Sequence, residues 1–318
     1  MARYAEAEAL YRRALGIWER DPEDAEAAVA LHNLATLCRI RGELGKAESL
    51  HRSALAIQER LFGPDHPGMA AGWNDLALVY KTQGRPGEAE QLYRRVLRVA
   101  TPQHSGYATA LNNLGELLLE QRRSREAERL LRQALQVREK RWPGGHPAVA
   151  ATCANLAHLQ VQRGRLSRAE ALYQRALEIY QTSLGPDHPE VAAVLNNLGT
   201  LETRRGRFPQ ARAFLQRAQY VWEQALGAQH PLVAAALTNL AELEIRERNY
   251  PAAGDLYRRA LAIHEKSEHP QSLAQAQRLE AYAAVLRRLQ HYSEAAQRET
   301  QALGIRVKHS LRNPATPR

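Results

Sequence analysis

The chain has 318 residues and only two cysteines, Cys38 and Cys153. They lie three repeats apart on apolar helical faces, so each reads as a small core residue rather than half of a disulfide. A reduced, cytoplasmic setting is expected. Aromatic residues make up 6% of the chain, too few for a base-stacking platform. Nowhere do about 18 apolar residues run together, so no membrane-spanning helix is expected. No short apolar core follows basic residues at the N-terminus, so no secretory signal is visible. Lysine is scarce: five of the 44 basic residues, the rest being arginine. The net charge of +10 predicts some attraction to acidic partners. The arginines are interspersed with glutamates rather than gathered in one stripe, so nucleic-acid binding is a lesser alternative.

Repetition is what the sequence has in abundance. LGPDHPEVAAVLNNLGTL, from Leu184, recurs as LFGPDHPGMAAGWNDLALVY from Leu61, with weaker copies from Trp142 and Leu226. The leucine of the Asn-Leu pair falls at Leu34, Leu76, Leu114, Leu156, Leu198 and Leu240, and Tyr282 holds the seventh register. The spacings are 42, 38, 42, 42, 42 and 42 residues. A second block keeps the same beat, from EAEALYRRAL at Glu6 to EAAQRETQAL at Glu294. Arrays of this kind are built from units that pack only on their neighbours.

One unit, Pro189 to Gln224, reads as a helix hairpin. Pro189 suits a first helical position, where its missing N–H costs nothing. Val191, Leu195, Leu198 and Leu201 recur at helical spacing. Arg204, Arg205 and Gly206 then mark an end, with cations at the negative pole and a residue tolerant of positive φ. A second helix from Phe208 or Pro209 buries Ala211, Phe214, Leu215, Ala218 and Val221. Small Gly199 and Ala211 sit where the two helices cross closely.

These residues resemble tetratricopeptide repeats (TPRs). The Leu-small pairs Leu76-Ala77, Leu114-Gly115 and Leu198-Gly199, with later alanines such as Ala89, Ala127 and Ala211, fit that pattern. The 42-residue period, the LNNLG box and the LGPDHP loop are similar to the kinesin light chain type. The resemblance covers about residues 1–305. It implies an all-α, right-handed α-solenoid of stacked hairpins: seven repeats over 21–309, an N-terminal half-repeat over 1–20 and a disordered tail over 310–318. MARYAEAEALYRRAL opens as a second-helix block, so either an upstream part is missing or this half-repeat is a cap. Nothing here resembles the heptad segment by which kinesin light chains bind the motor heavy chain, so no contact with that chain is expected.

Catalytic and metal motifs are near-misses. His264-Glu265-Lys266-Ser267-Glu268-His269 puts its second histidine one place late for a zinc protease. Gly42-Glu43-Leu44-Gly45-Lys46 lacks the loop length and hydroxyl of a phosphate-binding loop. There is no G-x-S-x-G and no C-x-x-C. His66, His146, His188, His230 and His269 each precede a proline, with His104 in register before a serine. Equivalent loops lie at least one helix spacing of about 8–10 Å apart, too far to share an ion at about 2 Å. Loop and cap roles are expected, with Asp65, Asp187 or the histidines facing free N–H groups. No catalytic residue, metal or cofactor is expected, and the chain is read as non-enzymatic.

Function is sought on the stripe beside Leu198. By the resemblance, first helices line the concave face. Asn33, Asp75, Asn113, Asn155, Asn197 and Asn239 form one row, and His32, Asn74, Asn112, Asn196 and Thr238 flank it. A row of small residues ends in Ala193 and Ala235, and a further row ends in Arg204, Arg246 and Arg288. Asparagine is a mediocre helix former, but its carboxamide both donates and accepts and so can pair with any peptide backbone. In similar TPR proteins, asparagines at the matching place hold an extended peptide. The expected peptide-binding residues are therefore Asn33, Asn74, Asn112, Asn113, Asn155, Asn196, Asn197 and Asn239. Arg204, Arg246 and Arg288 would favour acidic side chains, whereas Glu116 and Glu120 would resist them near the middle. Two readings of the asparagines stay open: contact with a ligand, or bridges that keep adjacent helices in register. The expected partner is a protein or peptide, with no membrane. A sensor array within a larger signalling protein is the other reading of the whole.

Overall fold

The computed structural model describes residues 25–265 and 273–312. The expected half-repeat over 1–20 and His269 lie outside the described residues. Fourteen α-helices and no strand are found among the described residues. They are α1 (Ala25–Ile40), α2 (Leu44–Phe62), α3 (Ala70–Thr82), α4 (Pro86–Val99), α5 (Ser105–Glu120), α6 (Ser124–Arg141) and α7 (Pro147–Gln162). Then come α8 (Leu166–Leu184), α9 (Pro189–Arg205), α10 (Phe208–Leu226), α11 (Pro231–Arg246), α12 (Tyr250–Glu265), α13 (Leu273–Arg288) and α14 (Tyr292–Arg312). Helix thus continues through Arg312, three residues into the segment expected as tail.

The chain divides into two compact units, residues 1–159 and 160–318. In the first, α1 packs on α2, α3 on α4 and α5 on α6, and each of α2 and α4 also meets the next first helix. In the second, α9 packs on α10, α11 on α12 and α13 on α14 in the same manner, with α8 against α9. Each unit is an α-solenoid segment of antiparallel hairpins, as the 42-residue beat requires.

The loops show why each hairpin starts where it does. Gly185 has φ 89° and ψ 158°, a backbone region essentially restricted to glycine, and it receives a chain leaving the end of α8. Gly63 and Gly227 adopt the same geometry at the equivalent places. A histidine follows in extended conformation, and the next helix begins on proline. At the turn inside a hairpin, a residue of positive φ ends the first helix: Gly206 at φ 75°. Arg122, Arg248 and Gln290 hold that position at φ 61°, 62° and 65° without being glycine.

Small and large residues interlock in the core. Val191, Leu195, Leu198, Leu201, Ala211, Leu215, Ala218 and Val221 are buried as the periodicity predicts. Phe214 is the exception, being only half-buried: it falls at the edge of the stripe. A Cβ on Gly199 would lie 2.5 Å from Leu215 Cγ and 3.1 Å from the Ala211 carbonyl oxygen. Glycine therefore lets α9 and α10 touch along their backbones. Burying a leucine such as Leu215 contributes about 1.5–3 kcal/mol. Cys38 and Cys153 are both buried and unbridged, in line with core roles.

Most arginines at hairpin junctions are held by glutamates. Arg205 reaches Glu170 of α8 at 2.7 Å and Glu202 at 3.0 Å. Arg212 of α10 pairs with Glu244 and Glu247 at and just beyond α11. Arg123 joins Glu90 and Glu126 at 2.8 and 2.7 Å. Arginines within second helices have partners too: Arg94 pairs with Glu90 and Glu126, and Arg95 lies over the Trp73 ring.

Candidate functional site

Periodicity assigns four rows of first-helix residues to one stripe, and members of all four are accessible. In the second unit, α9 lies beside α11. Ala193, Asn197 and Thr200 on α9 are half-exposed, and Arg204 is exposed. On α11, Ala235 and Asn239 are half-exposed, and Glu242 and Arg246 are exposed. In the first unit, Asn33 is exposed, while Asp75, Asn113 and Asn155 are half-exposed.

Hydrogen bonds separate the asparagines into distinct roles. Asn239 Nδ2 donates to Asn196 Oδ1 at 2.8 Å, joining α11 to α9. Asn155 Nδ2 donates to Asn112 Oδ1 at 3.2 Å, joining α7 to α5. Asn112 also donates to Asn113 Oδ1 at 3.2 Å. Asn74 is buried, and its Nδ2 donates to the Gly106 carbonyl at 3.0 Å, tying α3 to the start of α5. Asn74 and Asn112 thus sit beneath the stripe, holding neighbouring first helices together. Asn155, Asn196 and Asn239 do the same with one side of the carboxamide and face outward with the rest. Asn33 and Asn197 make no side-chain hydrogen bond among the described residues.

The charges of the stripe are also sorted. Arg204, Arg246 and Arg288 are exposed and form no ion pair among the described residues, unlike Arg205 and Arg212. Arg204 and Arg246 flank Glu242, whose carboxyl is raised by desolvation while the two guanidinium groups pull it down. Arg288 stands over the Tyr250 ring, 5.9 Å from its centroid. On the first unit, Glu116 and Glu120 do not act as bare acids. Lys81 of α3 reaches them at 2.6 and 3.0 Å. The expected repulsion there is therefore reduced, one positive charge being set against two negative ones.

The pre-proline histidines act as helix caps. Nδ1 of His66, His146, His188 and His230 accepts the backbone N–H two residues on, at 3.0, 3.1, 3.2 and 3.2 Å. The histidine fills the capping role, while Asp187 pairs with Arg217 at 2.6 Å and Asp65 with Arg95 at 3.4 Å. His104 turns back instead and accepts from the Thr101 N–H at 3.0 Å. Spacing along the chain points only to these loop histidines, but the fold brings together others. His32, His51 and Asp75 place one potential ligand atom each within 4.8 Å of one another.

Comparison with known proteins agrees with the repeats. The tetratricopeptide repeat profile matches residues 1–60, 26–101, 148–219, 190–266 and 232–306, and a second tetratricopeptide repeat profile matches 108–147. Nephrocystin-3 of Xenopus tropicalis is 37% identical over 89 residues, and that of Xenopus laevis 36%. The matched segment is 27% of this chain and only 7% of those relatives. Among solved structures, BtubC (BKLC) from P. vanneervenii is similar with a TM-score of 0.55 at 22% identity, over 80% of this chain and 94% of that one. A kinesin light chain-type protein of Podosopora anserina with nearly identical TPR-like repeats gives 0.51 at 22%, over 64% and 96%. The apo form of RapI gives 0.64 at 13%, over 89% and 98%. These likenesses concern the fold. With helix hairpins at a 42-residue period and matching profiles over most of its length, the chain belongs to the tetratricopeptide repeat family, and kinesin light chain-like repeat proteins are among its structural neighbours.

Proposed function

We propose that this chain is a non-catalytic scaffold that binds an extended, acidic peptide along its first-helix stripe. The family fold is one that typically serves protein–protein interaction. One observation carries the finer reading: Arg204, Arg246 and Arg288 recur in one register of the stripe, exposed and without an ion pair among the described residues. Arg204 and Arg246 stand exposed on either side of Glu242 and form no ion pair among the described residues, whereas Arg123, Arg205 and Arg212 are paired. Asn197, on the same stripe, offers a free carboxamide. Ala193 and Ala235 leave room for side chains beside it.

In the second unit, peptide backbone would bond Asn197 and the outward side of Asn239; in the first unit, Asn33, Asn113 and the outward side of Asn155 are the corresponding contacts. Acidic side chains would meet Arg204, Arg246 and Arg288. Charge-assisted bonds of this kind contribute about 1.5–3 kcal/mol each when shielded from water. The buried cysteines, neither of them in a disulfide, fit work in a reducing compartment such as the cytoplasm.

The test is fluorescence anisotropy with labelled acidic and neutral peptides. Arg204→Glu with Arg246→Glu should weaken the acidic peptide at least tenfold and leave neutral ones little changed. Equal binding of acidic peptides by wild type and variant would reject the assignment. Strong binding of generic RNA that the same variant abolishes would favour a nucleic-acid surface instead.

A further inference from the structure

We infer that His32, His51 and Asp75 form a site for a divalent transition-metal ion of the zinc class, which staples α1, α2 and α3 together. The three side chains come from three successive helices of the first unit. His32 Nδ1 and His51 Nδ1 face each other at 2.9 Å, and a ligand atom of each residue, Asp75 included, lies inside 4.8 Å of the others. Ligands at about 2.0–2.1 Å around a tetrahedral ion stand roughly 3.3 Å apart. The imidazole pair is thus already close to that spacing, and Asp75 needs to move by no more than about 1.5 Å.

The repeat supplies its own control. At the place of His32, other repeats carry Asn74, Asn112 and Asn196. At the place of His51 they carry Tyr93, Tyr173 and Tyr257, or a leucine at Leu131 and Leu215. At the place of Asp75 they carry Asn33, Asn113, Asn155, Asn197 and Asn239. All three departures from the pattern converge on one point in space. A helix hairpin does not need them, because the other repeats stack without them.

The surroundings suit a metal. His32 Nε2 lies 3.3 Å from Gln58 Oε1, so that nitrogen donates and Nδ1 keeps its lone pair toward the site. Metal-ligating histidines characteristically donate their other N–H to an oxygen in this way. Burial, together with the neighbouring His32 and Arg39, holds the His51 imidazole down to about 3, and burial also lowers His32. Both rings are neutral at pH 7, the form that ligates. His51 is fully buried, with its Nδ1 turned to His32 Nδ1 at 2.9 Å. A Cβ on Gly72 would fall 2.6 Å from His32 Cε1 and 2.8 Å from Nε2. Glycine at that point of α3 makes the space in which the His32 ring sits. Two imidazoles and a carboxylate form a borderline donor set that suits zinc or cobalt rather than calcium or magnesium. With three protein ligands, a fourth position is left for water. Arg39 of α1 lies near enough to His51 and Asp75 for its charge to act on both, and it moderates the affinity.

The experiment uses the tag-free full chain, stripped with chelator and titrated with Co2+, then with Zn2+. One equivalent of cobalt should bind with a visible absorption band of low-coordinate N/O ligation, and zinc should displace it. His32→Asn, His51→Tyr and Asp75→Asn each install a residue that other repeats carry, so circular dichroism should show the fold intact. Each should weaken binding at least tenfold. Absence of a saturable site at micromolar metal, or binding undiminished in the folded variants, would overturn the inference.

Discussion

Replacing His230 tests the capping role of the loop histidines quantitatively. Its Nδ1 accepts the Leu232 N–H at 3.2 Å at the start of α11, one of the orphan donors of that helix. Losing such a cap costs about 0.5–2 kcal/mol, with about 1 typical. The bond exists only while Nδ1 carries a lone pair. Protonation removes the acceptor and puts a cation at the positive end of the helix, a further penalty of about 0.3–1 kcal/mol. Accordingly, desolvation lowers the folded-state pKa of His230 below its usual 6.5. A histidine lowered in the folded state stabilises fully above the unfolded value. That contribution fades as pH falls from about 6.5 through the lowered folded value. Urea midpoints of wild type, His230→Ala and His230→Asn should be compared at about pH 8 and about pH 5, at unchanged slope. At the higher pH, alanine should lose about 1 kcal/mol, and asparagine, a good cap that does not titrate, should lose little. At the lower pH the gap between wild type and alanine should narrow. An equal gap at both values would mean that the ring matters for packing and that the lone-pair argument is wrong.

Other expectations follow from single residues. Gly185→Ala should cost about 1–3 kcal/mol, read by thermal unfolding, because φ 89° with ψ 158° admits essentially glycine alone. Arg248→Gly should raise stability by about 0.5–1 kcal/mol in the same assay. Relief of left-handed strain at φ 62° outweighs the added freedom of the unfolded chain. A double-mutant cycle on Asn196 and Asn239, followed by urea unfolding, should give a coupling of about 0.5–1.5 kcal/mol, whereas Asn197→Ala should change stability by less than about 0.5.

The hairpin architecture was legible because its signals are local and repeated. The leucine ruler, the pre-helix proline and the glycine after Arg205 each report on a few neighbouring residues, and the observed helix ends at Arg205 and Phe208 follow them. What the sequence hid depends on a neighbouring helix. Asn112 and Asn113 are the same residue type, one step of about 100° apart around α5. Only the packed neighbour decides that Asn112 is buried while Asn113 is half-exposed. Similarly, Lys81 is remote in sequence from Glu116 and Glu120, so their pairing with it could not be read from the chain. That histidine rather than aspartate caps the loop, while Asp187 pairs with Arg217 of the following second helix, also depends on a partner remote in sequence. The His32, His51 and Asp75 trio did leave a trace. Three departures from an otherwise regular pattern are visible in the aligned repeats, but their convergence is not.

The central claim is that the first-helix stripe receives an extended peptide. The most direct measurement is selection of a displayed random peptide library on wild type and on Asn197→Ala/Arg204→Ala/Arg246→Ala. None of these side chains makes a hydrogen bond or ion pair within 4 Å among the described residues, and both arginines are exposed, so the variant should fold alike by circular dichroism. Enrichment of acidic peptides by wild type, lost in the variant, is the predicted result. Equal enrichment by both, or none by either, would contradict the account.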